Sequence, residues 1–230
     1  MNWDTPPKPA ELAESRLIEA ILQGQFPIGS TLPAERELAV RLGVTRPTLR
    51  ETLQRLARDG WIEINQGKAT RVNDYWQEGN LGVLGALARF PQHVPANFVP
   101  NLLQVRQLLA PAYTQLAVQH AAATLLPFLQ SLTTLPDTPQ AYSQADWELH
   151  HRLTIASGNP IFTLILNGFA ALYQQMGPLY FARSDHRTHS QTFYRNLTTL
   201  AAARDSDAAA TLTRQIMAES VALWQEAIGI

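Results

Sequence analysis

The chain contains no cysteine among its 230 residues, which excludes disulfides and thiolate metal sites and fits a reducing interior. It has no apolar run near the ~20 residues that a membrane-spanning helix requires. Its first residues, MNWDTPPKPAELAESRL, lack the basic-then-apolar order of a secretory signal. Charged residues are scarce at 16%, yet 46% of the chain is hydrophobic, a composition that excludes a disordered protein and can bury a sizeable core. These absences predict a cytoplasmic globular protein with no membrane partner. Lysine is missing from Trp76 onward, where eight arginines stand against nine acidic residues. The formal net charge of −1 argues against a general polyanion binder, but the charge is uneven. Between Pro33 and Arg71 there are eight basic and five acidic residues, a local excess of three. A small basic patch on a neutral body fits local phosphate contact.

The pattern around those arginines shows what they serve. Glu11 to Gln23 has helical spacing, with Leu12, Ile18, Ile21 and Leu22 mostly on one side, and it stops at Gly24. The turn-rich connector QFPIGSTLP follows. A second short helix is predicted over Ala34–Leu42, with Leu38 and Leu42 inward and Gly43 at the left-handed position that ends a helix. Thr45 is suited to cap a third helix, Arg46–Asp59, whose first turn tolerates Pro47. Leu49, Leu53 and Leu56 face inward, while Arg46, Arg50 and Gln54 form an adjoining stripe at i, i+4, i+8. After Gly60, WIEINQGKATRVN alternates Trp61, Ile62 and Ile64 with Thr70 and Val72 around Gln66-Gly67-Lys68, which predicts two strands and a tight turn. The sum is a winged helix-turn-helix. On an arbitrary helix Arg46 and Arg50 would only solvate the surface. Here the motif exposes that flank, and a wing with a lysine at its tip follows. GKAT is not a phosphate-binding loop, because no glycine-rich run precedes Lys68.

The stretch FPIGSTLPAERELAVRLGVTRPTLRETLQRLARDGWIEINQGKATRVN resembles the winged-helix domain of GntR-type bacterial transcription regulators. It is similar above all to the FadR subfamily, the acyl-CoA-responsive regulators of fatty-acid metabolism. The resemblance implies that Arg36, Thr45, Arg46, Thr48, Arg50, Gln66 and Gly67 contact double-stranded operator DNA. Arginine offers a two-pronged fork to guanine, worth ~1–3 kcal/mol of discrimination, while Thr45 and Thr48 would bind phosphate and set register. Pro47 and Gln66 depart from the subfamily, which has threonine and histidine there. The first removes a possible phosphate hydrogen bond and the second alters minor-groove reading. Palindromic half-sites in successive major grooves call for a homodimer.

The polar stretch NDYWQEGN reads as a hinge, giving a DNA-binding domain over 1–73, a linker over 74–80 and an effector-binding and dimerisation domain over 81–230. Helices are predicted over Leu81–Arg89, Val99–Ala123, Leu125–Thr134, Pro139–Ser157, Ile161–Tyr180, Arg187–Ala203 and Ser206–Glu226, with no strand alternation. That is a C-terminal all-α bundle, so the whole chain is mainly α with one small β-hairpin. Ser157, Asp146 and His150 or His151 could be imagined as a triad. Yet Asp146 and the histidines share one helix and no nucleophile elbow is present, so no enzyme is expected.

The resemblance to the FadR subfamily continues through NLLQVR, ASGNPIFTLILNGFAALY, LYFARSD, FYRNL and ESVALW. It implies a fatty acyl-CoA effector, with Arg106, Tyr180, Tyr194, Ser220 and Trp224 at ligand-binding positions. Arg106 is a lone cation in the apolar LLQVRQLLAP and must find an anionic partner. Ser220 and Trp224, four apart, share one helix face. Three residues depart from the subfamily: His150 stands for a phenylalanine lining the acyl tunnel, Met217 for a glycine beside coenzyme A, and Ile216 for a tyrosine. Asp146 and His150 also match half of the ligand set of metal-dependent relatives, which add two later histidines. None follows His189 here, and Tyr194 stands near one of those positions. Two ligands of four make a poor site. A hydrogen bond between Asp146 and His150 is therefore preferred, and no metal or other cofactor is expected. A metal-dependent sensor of small carboxylates is the alternative.

Overall fold

The computed structural model describes residues 8–228, with side chains through Glu226; the first seven residues of the stretch tested for a secretory signal lie outside the described residues. These residues form two compact units that divide between Val94 and Pro95.

The first unit is built on α1 (Pro9–Leu22), α2 (Glu35–Leu42) and α3 (Arg46–Asp59). Leu17, Ile18 and Ile21 of α1 meet Leu38 of α2 and Leu49, Leu53 and Leu56 of α3 in a buried core, and burying each such side chain contributes about 1.5–3 kcal/mol. Leu12, expected inward, is instead exposed, because Ala10 and Ala13 take the inner positions of the first turn. Arg16 Nη1 donates to the Leu42 carbonyl at 3.0 Å, satisfying one of the orphan acceptors at the end of α2.

The hairpin is shorter than its alternation predicts. β1 (Ile62–Glu63) and β2 (Arg71–Val72) pair antiparallel, with Ile62 opposite Val72. Ile64 turns outward to solvent. A strip from the connector lies along the same edge: Leu32 N donates to Thr70 O, and Gly29 N to Val72 O, both at 2.8 Å. The connector thus covers a sheet edge that would otherwise be open.

The 74–80 segment is tied to the end of α3. Asn73 Nδ2 donates to Gly60 O at 3.2 Å and Asn80 Nδ2 to Arg58 O at 2.8 Å, while the Tyr75 ring packs 4.7 Å from that of Trp61. α4 (Leu81–Leu87) then packs on α3 within the same unit.

The second unit is all helical: α5 (Phe98–Ser131), α6 (Pro139–Ala156), α7 (Pro160–Gly168), α8 (Ala170–Tyr180), α9 (Ser184–Ala203) and α10 (Ser206–Ile228). α5 is the central element and packs against α6, α9 and α10. Two predicted helices run together in it without the expected break at Thr124, and its single non-helical residue, Ala121 (φ −141°, ψ 24°), falls inside the first of them; strong helix formers on both sides let the hydrogen bonding resume. The predicted Ile161–Tyr180 helix is divided into α7 and α8 at Gly168-Phe169, where glycine weakens the helix and Phe169 N bonds back to Leu166 O. No helix among the described residues is long and apolar enough to cross a membrane.

Candidate DNA interface and effector cavity

The turn between α2 and α3 sets the first site. Gly43 adopts φ 70°, as its position predicts, and Val44 N bonds back to Ala39 O, so the chain reverses in two residues. Thr45 caps α3: its hydroxyl accepts from Thr48 N at 3.3 Å and lies 2.8 Å from the Thr48 hydroxyl. The cap Thr45 and the first helical residue Arg46 are both exposed, and Thr48, bonded to the cap, is half-buried.

Most arginines of the first unit are neutralised by the protein itself. Arg41 pairs with Glu37, Arg55 with Glu51 and Glu14, Arg58 with Asp59, and Arg71 with Glu63 and Glu78. Arg50 is held by its Nε to Glu35 at 2.8 Å, which leaves the two terminal nitrogens of its fork unused by that pair. Among the described residues Arg36, Arg46 and Lys68 have no ion-pair partner, and all three are exposed. Gln66, Gly67 and Lys68 form the exposed wing tip, with Gly67 at φ 72° and Lys68 N bonded to Asn65 O. The local basic excess is thus concentrated at the recognition helix, the start of α2 and the wing.

The second site is a cavity of about 120 Å³ walled by α5, α7 and α8, with contributions from α6 and α10. Its α5 wall is a stripe of Val99, Leu102, Leu103, Arg106, Leu109 and Tyr113. Phe162, Ile165, Leu166, Phe169, Tyr173 and Met176 form the facing stripe. Both follow i, i+3, i+4, i+7 spacing in the sequence, although the second crosses the α7–α8 junction, and that spacing cannot distinguish a cavity lining from a packed core.

One polar network interrupts the apolar wall. Arg106 Nη2 bonds Asp146 Oδ2 at 2.6 Å and also meets His150 Nε2. Asp146 further accepts from the hydroxyls of Tyr173 and Tyr194, the latter at 3.1 Å, and His150 Nδ1 lies 2.6 Å from the Tyr113 hydroxyl. Asp146 and His150 side chains are only 4% and 2% exposed. Burial alone would raise the Asp146 carboxyl, but the Arg106 charge and the Tyr173 hydrogen bond hold it below the usual carboxylate range. Burial alone would lower Arg106, and the Asp146 charge outweighs it, so the guanidinium is held above its usual value. Burial and then the Arg106 charge push His150 down to about 3. Burial pushes Tyr173 and Tyr194 well above the ordinary phenol value, so both stay hydrogen-bond donors.

The expected direct bond between Asp146 and His150 is not formed. His150 Nε2 and Asp146 Oδ1 are 3.7 Å apart, and the Arg106 guanidinium bridges the two side chains because it supplies donors to both. Of the residues predicted for ligand binding, Arg106, His150, Tyr180 and Trp224 line the cavity. Tyr194 is fully buried behind it on Asp146, Met217 packs in the core, and the Ser220 hydroxyl donates to Ile216 O at 2.8 Å. Tyr180 stacks with Trp224 at 6.1 Å between ring centres, and its hydroxyl and the Trp224 Nε1 are buried without a hydrogen-bond partner. Ser157, the serine of the imagined triad, spends its hydroxyl on the Thr154 carbonyl at 2.6 Å.

A winged helix with unpaired cations on its recognition helix, the preceding helix and the wing, in one chain with an all-helical unit around an apolar cavity, defines a class of DNA-binding regulators. The chain belongs to the GntR family of bacterial regulatory proteins: that family's model matches residues 9–72, and the FadR C-terminal domain matches residues 73–228. It is 41% identical over 217 residues to the fatty acid metabolism regulator protein of Shewanella pealeana, covering 94% of this chain and 91% of that protein. It is 41% identical over 221 residues to the protein of the same name from Yersinia pestis, covering 96% and 92%. A solved structure of Lar, which controls expression of the Listeria monocytogenes agr system, matches with a TM-score of 0.61 at 18% identity over 97% of this chain and 98% of that one, a likeness of fold. These relatives are regulators, not enzymes.

Proposed function

We propose that the protein is a cytoplasmic transcription regulator of fatty-acid metabolism that binds a palindromic operator as a homodimer and is weakened on it by long-chain fatty acyl-CoA. The observation that carries the reading is the apolar cavity with a single buried ionic network, in a chain whose relatives are named for fatty acid metabolism. On the DNA side Arg46 and Arg50 read base edges, Thr45 and Thr48 hold phosphates, and Arg36, Gln66 and Gly67 complete the contact from α2 and the wing. Residues 1–73 serve this purpose and 74–80 connect; of 81–230, α4 packs with the first unit and the helices from Pro95 onward hold the effector and the dimer contact.

In the effector unit the acyl chain lies between the two apolar stripes. Tyr180, Ser220 and Trp224 meet the coenzyme A end, where unpartnered polar atoms await acceptors and donors. Arg106, positioned by Asp146, His150 and Tyr194, is the charged group at the cavity wall, and Met217, where the subfamily has a glycine, narrows the coenzyme A entrance. Burial of each CH₂ contributes about 0.8 kcal/mol, so long chains are favoured. The metal-dependent alternative is disfavoured by Arg106, whose cationic group already bridges Asp146 and His150.

Native mass spectrometry with hexadecanoyl-CoA tests the reading. Two chains carrying one acyl-CoA each are expected. A stoichiometric metal ion with no retained acyl-CoA would contradict it.

A further inference from the structure

Besides the Tyr180 hydroxyl and the Trp224 Nε1, the cavity wall carries a further hydrogen-bond donor that the protein leaves unused. Arg106 and Tyr113 lie seven residues apart on the inner face of α5, and His150 of α6 bonds both. Arginine can only donate, so His150 Nε2 is the acceptor of that bond. Burial and the Arg106 charge push His150 down to about 3, so the neutral ring carries one N–H. With Nε2 accepting, that proton resides on Nδ1 and is donated to the Tyr113 hydroxyl oxygen at 2.6 Å. Among the described residues this is the only hydrogen bond of the Tyr113 hydroxyl, and the hydroxyl is its acceptor. Its own O–H hydrogen is left without an acceptor. Tyr113 is 3% exposed, lines the cavity beside Leu109, and meets the Phe162 ring edge-on at 5.7 Å.

We propose that Tyr113 is a specificity residue whose O–H donates to an oxygen on the acyl chain, so that the effector is a mono-oxygenated fatty acyl thioester, hydroxylated or oxo-substituted. The proposal rests on the acyl-CoA reading above. A buried donor without a partner is destabilising, and a chain oxygen at that depth satisfies it. The thioester carbonyl is the other oxygen such a ligand carries. Tyr113, however, packs against the rings of His150 and Phe162, whereas Tyr180 packs against Phe181, His186 and Trp224 in a separate cluster. That second cluster holds the unpartnered polar atoms assigned to the coenzyme A end.

The test is calorimetric titration of the full chain with hexadecanoyl-CoA and a series of monohydroxylated hexadecanoyl-CoAs, the hydroxyl stepped along the chain. One hydroxyl position is expected to bind wild type about tenfold tighter than the plain chain, ~1.4 kcal/mol. In Tyr113→Phe the preferred and plain chains should bind alike. The wild-type series is decisive even if the variant folds poorly. Equal affinity across the series overturns the proposal, assigns any Tyr113 contact to the thioester carbonyl that all members share, and leaves the acyl-CoA reading standing. A positional preference that survives in Tyr113→Phe also overturns it. If no member of the series binds wild type, the acyl-CoA reading fails and the proposal falls with it.

Discussion

Arg46 and Arg50 lie four residues apart on α3, but the protein treats them differently. Arg46 has no ion-pair partner among the described residues, while Arg50 is steadied through its Nε by Glu35. Both leave nitrogens free for a base edge, so Arg46→Ala or Arg50→Ala should each weaken specific operator binding by about 1–3 kcal/mol while the fold survives. The measurement is operator affinity at one fixed salt concentration; an unchanged value in either variant removes that residue from the interface. His150 gives a pH signature. Its folded-state value of about 3 lies below the ordinary 6.5, so between those limits the unfolded chain binds the extra proton. Its contribution is complete above about pH 6.5 and declines below it, by up to ~1.4 kcal/mol per pH unit. Thermal unfolding between about pH 7 and pH 5 should therefore show a steeper loss in wild type than in His150→Phe; equal losses would contradict the buried neutral imidazole. The need of Arg106 for an anion was readable from its apolar neighbours. Its partner was not, because Asp146 lies on another helix and only folding brings the two together. Tyr113 carries no such signal, since a tyrosine on an apolar helix face has the sequence pattern of ordinary core and its hydroxyl partner comes from another helix.

The winged helix was legible because its signals are local. Gly43, Thr45 and Pro47 are punctuation that acts within a turn, and the leucines of α3 sit on one face. The connector strip along β2 and the anchoring of the 74–80 segment on α3 depend on contacts far apart in the chain, which composition does not encode. Gly60 and Gly67 show the difference that such contacts make. Both have left-handed φ, 91° and 72°. A Cβ on Gly67 would meet nothing within 4 Å, whereas one on Gly60 would lie 2.6 Å from Glu78 O and 2.7 Å from the Gly79 Cα. Gly67→Ala should therefore cost only the conformational strain, about 1–2 kcal/mol. Gly60→Ala should destabilise clearly more, because the 78–79 backbone has to move. Denaturant unfolding of the two variants checks this; equal losses would mean that the segment does not hold against α3. The α7–α8 division was missed because Gly168 sits in a strongly apolar run, where hydrophobic periodicity masks one weak helix former.

At the scale of the whole chain, the proposed function puts the DNA contacts of a nearly neutral protein on a few unpaired cations of one unit and its ligand in the apolar cavity of the other. Effector control then requires that the ligand bind better when the protein is off the operator, since only differential affinity shifts the balance. Coupling of this kind is usually ~1–3 kcal/mol, roughly 5- to 150-fold in DNA affinity. The decisive measurement is an operator-binding titration at constant salt, repeated with acyl-CoAs of increasing chain length and with free coenzyme A. Long-chain acyl-CoA should weaken operator binding by a factor within that range, and free coenzyme A should do little. Operator affinity unchanged by every chain length, in a protein that still binds its operator, would contradict the account.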